Sequence, residues 1–446
     1  MTPRLFGTDG VRGTAGAWPL DPSTVRRIGA AIVRVLEPQG DGTRLLIGRD
    51  TRVSGEWIER ELAHGARTAG ASVATVGVLP TPAVAYLTRT EGVTLGAVIS
   101  ASHNPYEDNG IKVFAGGGRK FTEELERQVE ALVADSSWSV PAAEAPPVAP
   151  LDGAPAYLAH LREVLADPGA LGGARIVVDC ANGATTPVAP HVFERLGLAV
   201  SLMGASPDGR NINLACGSTH PDLMAQRVRE EGALLGVAFD GDGDRAILAD
   251  EQGHVVDGDA VMLMCARQLQ AEGRLRGHTV VATVMSNLGL ELALKASGIA
   301  LVRTQVGDKY VMEELLRGGY SLGGEQSGHV IFSDYLFTGD GLATTLGVLR
   351  VMAQTGRPLS ALASQLVTYP QVLVNVRVKE RRDLGSVPAI SSVMDAVRGR
   401  LGAEGRLLVR YSGTEPLLRI MLEGRDQGEI TRGAQQIAEV VMQELG

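Results

Sequence analysis

Cysteine is scarce. Three residues, Cys180, Cys216 and Cys265, are spread through 446 positions, and an odd, widely spaced set supports neither a disulfide framework nor a zinc knuckle. No apolar run approaches the ~20 residues that a transmembrane helix requires. The first residues, MTPRLFGTDGVRG, carry no apolar core of a signal peptide, so the chain is expected to be cytoplasmic. Positive charge is in deficit: 42 basic against 51 acidic residues give a net charge of −9. That balance argues against broad binding to nucleic acid or to an anionic membrane, and an anionic substrate would need positive charge concentrated locally. A collagen-like glycine period and long polar tracts are absent too. Glycine is nevertheless abundant, 56 residues against a usual ~7%, and the excess must sit in turns and loops. With 44% hydrophobic and 21% charged residues, the composition suits a soluble globular protein with a sizeable core. At roughly 100–200 residues per domain, length alone suggests about three domains.

What is present is a unit that occurs three times. Each copy opens with a short apolar strand: RLLIGRDTR from Arg44, ARIVVDCANG from Ala174 and HTVVATVMSNLG from His278. A helical stretch follows, then a second strand opening on glycine, GASVATVGVLP, GLAVSLMGASPDG and GIALVRTQVGDK. A second helix comes next (PAVAYLTRTEG, PDLMAQRVREEG, YVMEELLRGG), each closed by the glycine expected at a helix C-terminus. A third strand and a polar loop complete the unit. The three loops read SASHNPYEDNG, DGDGDR and GEQSGH. Alternating strands and helices predict α/β domains, whose ligand sites gather on loops beyond the strand ends. Three chemically specialised loops are therefore expected at matching positions.

Prolines 141, 146, 147, 150 and 155 read as a semi-rigid linker. Further boundaries fall near 250–256 and 365–370, giving expected domains 1–150, 151–252, 253–368 and 369–446. In the last stretch Val372, Val374, Val376 and Val378 alternate with polar residues, a half-buried strand. The expected fold is three similar α/β domains with mixed sheets plus a smaller C-terminal α+β domain.

Asp240, Asp242 and Asp244, separated by glycines, let three carboxylates converge on one hard cation. An EF-hand is rejected, because Arg245 stands where that loop needs glycine and the flanks read as strands. Ser102, in a polar turn after GAVI, is the nucleophile candidate, with His103 beside it and Lys112 on the next strand. No acyl-transfer pattern accompanies it. Phosphoryl chemistry suits a serine beside a three-aspartate loop, since a cation neutralises charge as phosphate arrives or leaves. Glu325, Ser327 and His329 suit sugar hydroxyls, which both donate and accept. In RYSGTEPLLR, Arg410, Ser412, Gly413, Thr414 and Arg419 form a phosphate cradle.

With four motifs in order, S-x-S-H-N-P, D-G-D-G-D-R, G-E-x-S-G-H and R-x-S-G-T-E-P-x-x-R, the chain resembles the α-D-phosphohexomutase superfamily over essentially its full length. FGTDGVRG, ASHNPYEDNGIKVF, NINLACGSTH at 211–220 and Gln326 point to its hexosamine-specific bacterial branch. The resemblance implies four domains around a central cleft, in chain order a phosphoserine, a metal-binding, a sugar-binding and a phosphate-binding domain. It implies an isomerase that moves phosphate between O6 and O1 of glucosamine through phosphorylated Ser102 and glucosamine 1,6-bisphosphate, feeding UDP-N-acetylglucosamine and cell-wall precursor synthesis. Mg²⁺ would be held by the Ser102 phosphate, Asp240, Asp242 and Asp244. Glu325, Ser327 and His329 would bind the sugar, and Arg410, Ser412, Gly413, Thr414 and Arg419 the phosphate that is not reacting. Arg12 and Arg245 would neutralise the transferring group. Lys112 is the expected proton carrier, with His103 or His329 as alternatives. A homodimer is compatible with the family, and no nucleic-acid or membrane partner is expected. The competing readings are a mutase for mannose or glucose phosphates and a phosphosugar-binding regulator without turnover.

Overall fold

A computed structural model of the chain describes residues 4–7, 9–36, 42–142, 146–165, 167–412 and 416–446. Its strands form four sheets of eight, five, four and three strands, which follow one another along the chain. The threefold unit is visible in the strand pairing. In the first copy Arg44–Arg49 lies parallel to both Ser72–Val78 and Leu95–Ile99, and Leu95–Ile99 pairs antiparallel with Asp108–Ala115. In the second, Arg175–Asp179 lies parallel to Ala199–Met203 and Leu235–Phe239, with Ala246–Ala249 antiparallel to the latter. In the third, Thr279–Thr283 lies parallel to Ala300–Thr304 and Leu322–Gly324, with Val330–Phe332 antiparallel. Each of these three sheets is thus mixed, and each specialised loop leaves the end of a third strand.

Apolar side chains spaced three and four apart seat the second helix of each copy on its sheet. Thr81–Thr90 buries Val84 and Ala85 beside Val98. Asp222–Glu231 buries Met224, Ala225 and Val228 against Val177 and Ala238. Asp308–Gly318 buries Val311, Met312 and Leu315 against Val281 and Ile331. Full burial of such side chains stabilises by about 1.5–3 kcal/mol each. Two of these helices end on left-handed Gly232 and Gly319. The first ends on Glu91 in an ordinary conformation, and its glycine, Gly92, takes the positive φ one residue later.

By compactness the chain divides in two: one unit of Met1–Met285 with Ile299–Gln365, and a second of Ser286–Gly298 with Leu366–Gly446. The second unit therefore borrows the helix Leu288–Ala296 from the middle of the third repeat. Asn287 ties it down: its Oδ1 accepts from the Tyr369 amide (2.9 Å) and its Nδ2 donates to the Tyr369 carbonyl (2.9 Å). The strand Gln371–Arg377 of this unit is half-buried as expected, with Val376 and Val378 packed under Ile390, Val397, Ile430 and Ile437.

The proline-rich stretch, expected as a semi-rigid linker, is tied to the first domain. Proline lacks an N–H but keeps a carbonyl acceptor, and Arg67 donates to the carbonyls of Pro146 (2.9 Å) and Pro147 (3.3 Å). Ala149–Pro150 then pairs with Ser72–Val78 as an edge strand of the first sheet. Among the described residues no helix is long and apolar enough to cross a membrane.

Candidate functional site

Ser102 follows the fully buried strand Leu95–Ile99. The Ser100 hydroxyl donates to Asp50 Oδ2 (2.5 Å) and accepts from the Ser102 amide (2.9 Å). Ser102 takes a left-handed φ of +53°, a conformation costing on the order of 1–3 kcal/mol that survives only where its surroundings impose it. Its side chain is buried, and Oγ donates to Asp240 Oδ2 at 2.5 Å.

The aspartate loop joins Leu235–Phe239 to Ala246–Ala249. Asp240 accepts from the Arg245 amide (3.1 Å), and Asp242 Oδ2 accepts from Thr81 Oγ1 (2.5 Å) and Lys112 Nζ (2.8 Å). Lys112 Nζ also reaches Asp244 Oδ2 (3.0 Å) and Asp9 Oδ2 (3.0 Å). One oxygen of each of the three loop aspartates lies within 4.8 Å of the others. Asp242 Oδ1 is buried without a hydrogen-bond partner among the described residues, and Asp244 Oδ1 has no hydrogen bond shorter than its 3.5 Å approach to the His329 ring. A buried carboxylate oxygen left unpaired is costly, and hard oxygen donors are what a divalent cation takes; the residues present fit such an ion.

Like and opposite charges crowd together here. Burial, followed by Asp244 and Asp242, pushes the Asp240 carboxyl well above its usual range. Burial also pushes Asp244 up, but Lys112, His329 and Arg245 outweigh it and hold it well below the usual range. Lys112 is fully buried, which pulls its pKa down, yet Asp242, Asp244 and Asp9 together lift it well above that of an ordinary lysine. It is therefore held as a cation. His103 goes the other way: burial, Arg245 and Arg12 push it down to about 4. Its Nδ1 lies 3.3 Å from Ser102 Oγ and 3.2 Å from Arg245 Nη1. Since guanidinium can only donate, Nδ1 carries a lone pair and His103 is a neutral acceptor beside the serine.

Arg12 bonds Asn104 Oδ1 (3.3 Å) and Asp9. Glu325 is buried, its Oε1 accepting from the Gly307 amide (3.1 Å), while Ser327 is exposed. Gln326 Nε2 is spent on Asp257 Oδ2 (3.0 Å). His329 departs from expectation. Its backbone belongs to the same loop, but its ring is 2% exposed, with Nδ1 3.5 Å from Asp244 and Nε2 accepting from the Gly339 amide (3.0 Å). Asp244 and Asp308 raise its pKa against burial; the amide, a fixed donor, places the lone pair on Nε2 and the proton on Nδ1. A ring with all its polar partners inside the protein buttresses the aspartate loop and has no atom left for a sugar hydroxyl.

In the second unit Arg410 and Arg419 stand directly opposite each other on antiparallel strands. Arg419 Nη2 lies 3.5 Å from Ser412 Oγ, and Arg381 donates to the Ser412 carbonyl (2.6 Å). Burial and the neighbouring Arg419 pull the Arg410 pKa down. The other two members of the expected cradle, Gly413 and Thr414, lie outside the described residues.

Several residues of the site were not singled out from the sequence: Asp9, Ser100, Thr81, Lys120, Asp308, Arg381. Lys120 bonds Asp9 (2.6 Å) and Asp308, joining the serine domain to the third repeat. Asp9 stood in the FGTDGVRG run. The signal that it faces Lys112 is the antiparallel pairing of Gly10–Thr14 with Asp108–Ala115, which sequence spacing does not contain.

Four family descriptions cover the chain in order: phosphoglucomutase/phosphomannomutase alpha/beta/alpha domain I at 3–139, domain II at 155–253, domain III at 257–369 and the C-terminal domain at 373–440. A phosphoglucosamine mutase of Syntrophotalea carbinolica is 48% identical over 100% of this chain and 99% of its own length. One of Desulforudis audaxviator is 49% identical over 98% and 97%. Among solved structures, a phosphoglucomutase/phosphomannomutase family protein of Burkholderia thailandensis superposes with a TM-score of 0.80 at 25% identity, covering 99% of this chain and 98% of that one. Aspergillus fumigatus N-acetylphosphoglucosamine mutase, solved with GlcNAc-6P and magnesium, shares the fold with a TM-score of 0.68 at 19% identity over 98% and 95%. A serine seated on a buried three-aspartate loop, three copies of one mixed sheet and these full-length matches agree: the chain belongs to the phosphoglucomutase/phosphomannomutase family.

Proposed function

We propose that the chain interconverts glucosamine 6-phosphate and glucosamine 1-phosphate, with Ser102 carrying the phosphoryl group and glucosamine 1,6-bisphosphate as the intermediate. The observation that carries the chemistry is Ser102 Oγ donating to Asp240 at 2.5 Å, among buried carboxylates with oxygens to spare. The sugar follows from relatives 48% and 49% identical that are named phosphoglucosamine mutase.

In the first half-reaction the sugar O1 attacks the phosphorus on Ser102; the P–Oγ bond breaks and the P–O1 bond forms. Neutral His103, its ring nitrogen 3.3 Å from Oγ, takes the proton that leaves O1 and, once protonated, delivers it to the departing Oγ. Asp240, Asp242 and Asp244 would hold Mg²⁺, which when bound neutralises charge on the phosphoryl oxygens. Lys112 keeps the aspartate loop compact as a buried cation, so its first role is electrostatic rather than that of a base. Arg12 and Arg245 balance the charge on the transferring group. After the bisphosphate turns over, its 6-phosphate returns to Ser102 by the same step in reverse. Glu325 and Ser327 hold ring hydroxyls, and His329 positions Asp244. Arg410, Ser412 and Arg419 grip the phosphate at rest, so the labour divides among residues 1–150, 151–252, 253–368 and 369–446.

Peptide mapping for phosphoserine, combined with turnover of glucosamine, mannose and glucose 6-phosphates, tests the reading. Phosphate on Ser102 and a preference for the glucosamine substrate are expected. A preference for mannose 6-phosphate would overturn the substrate, and turnover by Ser102→Ala would overturn the carrier.

A further inference from the structure

The segment NINLACGSTH at 211–220 has no place in the transfer itself, and neither has Arg52, which follows the first strand of the first repeat. Both end on the same stretch of backbone. The Arg52 side chain is fully buried, its Nε anchored to Asp50 Oδ2 at 2.8 Å. Its Nη2 donates to the carbonyls of Ser102 (3.0 Å) and Asn104 (2.8 Å), and its Nη1 to those of Asp108 (2.9 Å) and Pro105. From the second repeat, Asn213 Nδ2 donates to the same Ser102 carbonyl (2.9 Å) and the same Asn104 carbonyl (3.0 Å).

Two carbonyls, with two lone pairs each, thus receive two donors each. The Ser102 carbonyl is also closed in by backbone, since a Cβ on Gly241 would stand 2.6 Å from it. Ser102 and Asn213 both take left-handed φ, +53° and +58°, which asparagine tolerates and serine does not favour. The Arg52 turn is itself stitched to the second repeat: Thr51 Oγ1 donates to the Asn182 carbonyl (2.5 Å) and the Val53 amide to the Gly209 carbonyl (2.9 Å).

We propose that Arg52 and Asn213 form a carbonyl clamp, two positioning residues that impose the left-handed turn at Ser102 and keep its Oγ facing Asp240. Arg52 holds the loop from within its own domain. Asn213 fixes the loop to the domain that carries the aspartates, so serine and aspartates keep their separation. The clamp rests on the reading of Ser102 as phosphoryl carrier. A nucleophile displaced by about 1 Å loses on the order of 10²-fold in rate, which is the scale of effect at stake.

The test compares Asn213→Ala, Asn213→Asp, Asn213→Gln and Arg52→Lys with wild type in kcat, KM, melting temperature and amide hydrogen exchange of residues 101–106. Asn213→Ala is expected to lower kcat about tenfold with KM unchanged, the loss of two neutral hydrogen bonds. Asn213→Asp, which turns an acceptor toward two carbonyls, should approach 10²-fold. Asn213→Gln keeps the amide and recovers part of the rate. Arg52→Lys keeps a charge for Asp50 but one ammonium does not span four carbonyls, so kcat falls again; should it fail to fold, the Asn213 series decides alone. Exchange at 101–106 should quicken while the rest of the chain is unchanged. If the wild type turns over no hexose phosphate, the functional reading fails and local exchange alone judges the clamp. Unchanged exchange in Asn213→Asp, a loss in KM alone, or a kcat loss that tracks the melting temperature overturns it.

Discussion

The two units place their charged side chains in opposite ways. In the first, the groups are buried and bonded to one another: Ser102, Asp240, Asp242, Asp244 and Lys112 are at most 2% exposed, and each finds a partner within the protein while two carboxylate oxygens stay without a hydrogen bond. In the second, Arg410 and Arg419 stand face to face, half-buried, like charges opposite each other on neighbouring strands. Like charges so placed destabilise a sheet unless an anion lies between them. The difference is one of rigidity against exchange. A group that makes and breaks bonds gains from fixed, desolvated neighbours, whereas two like charges on facing strands gain from an anion that both can reach.

That comparison is broken most directly at its buried end. Ser102→Ala should reduce turnover by at least about 10⁴-fold while sugar-phosphate affinity by calorimetry stays within a few-fold. Asp242→Asn removes one carboxylate charge and a partner of Lys112; a fall of about 10²-fold or more in kcat and a rise in the Mg²⁺ concentration for half-activity should accompany it. At the half-buried end, Arg410→Ala and Arg419→Ala should act on binding, raising KM by about 10–100-fold, the worth of a charge-assisted hydrogen bond, with a smaller change in kcat. Equal losses in kcat and KM at both ends would erase the distinction.

The smallest effect is a pH dependence at His103. Its folded pKa of about 4 lies below the ordinary 6.5, so the unfolded chain binds the proton more readily. The stability this contributes is full above about pH 6.5 and is lost as pH falls through about 4. The melting temperature of wild type should therefore drop more steeply than that of His103→Gln between those values, and parallel curves would remove the histidine from the account.

Much of this was readable before any coordinates. The threefold unit survives in the strand pairing, because alternating apolar runs and glycine-closed helices are local properties. That Ser102 and the aspartates sit on polar loops at strand ends is legible for the same reason, since each loop is continuous in sequence, and the structure brings them together. What was hidden depends on sheet order. Asp9, Lys120 and Asp308 meet Lys112 and His329 only once distant strands are side by side. His329 misled because proximity along a loop says nothing about which way a ring turns. The proline-rich stretch reads as a semi-rigid linker from its composition alone, and the carbonyls that Arg67 takes up leave no mark there.

That stretch has a consequence for solubility. Ser72–Val78 would otherwise present an open row of donors and acceptors at the margin of an eight-stranded sheet, the kind of margin onto which a second chain can add. Ala149–Pro150 occupies it, and the proline has no N–H to offer the next strand. The first domain expressed alone and cut at residue 139 would lose this cover. It should self-associate in a concentration-dependent way, and extension to residue 152 should keep it monodisperse.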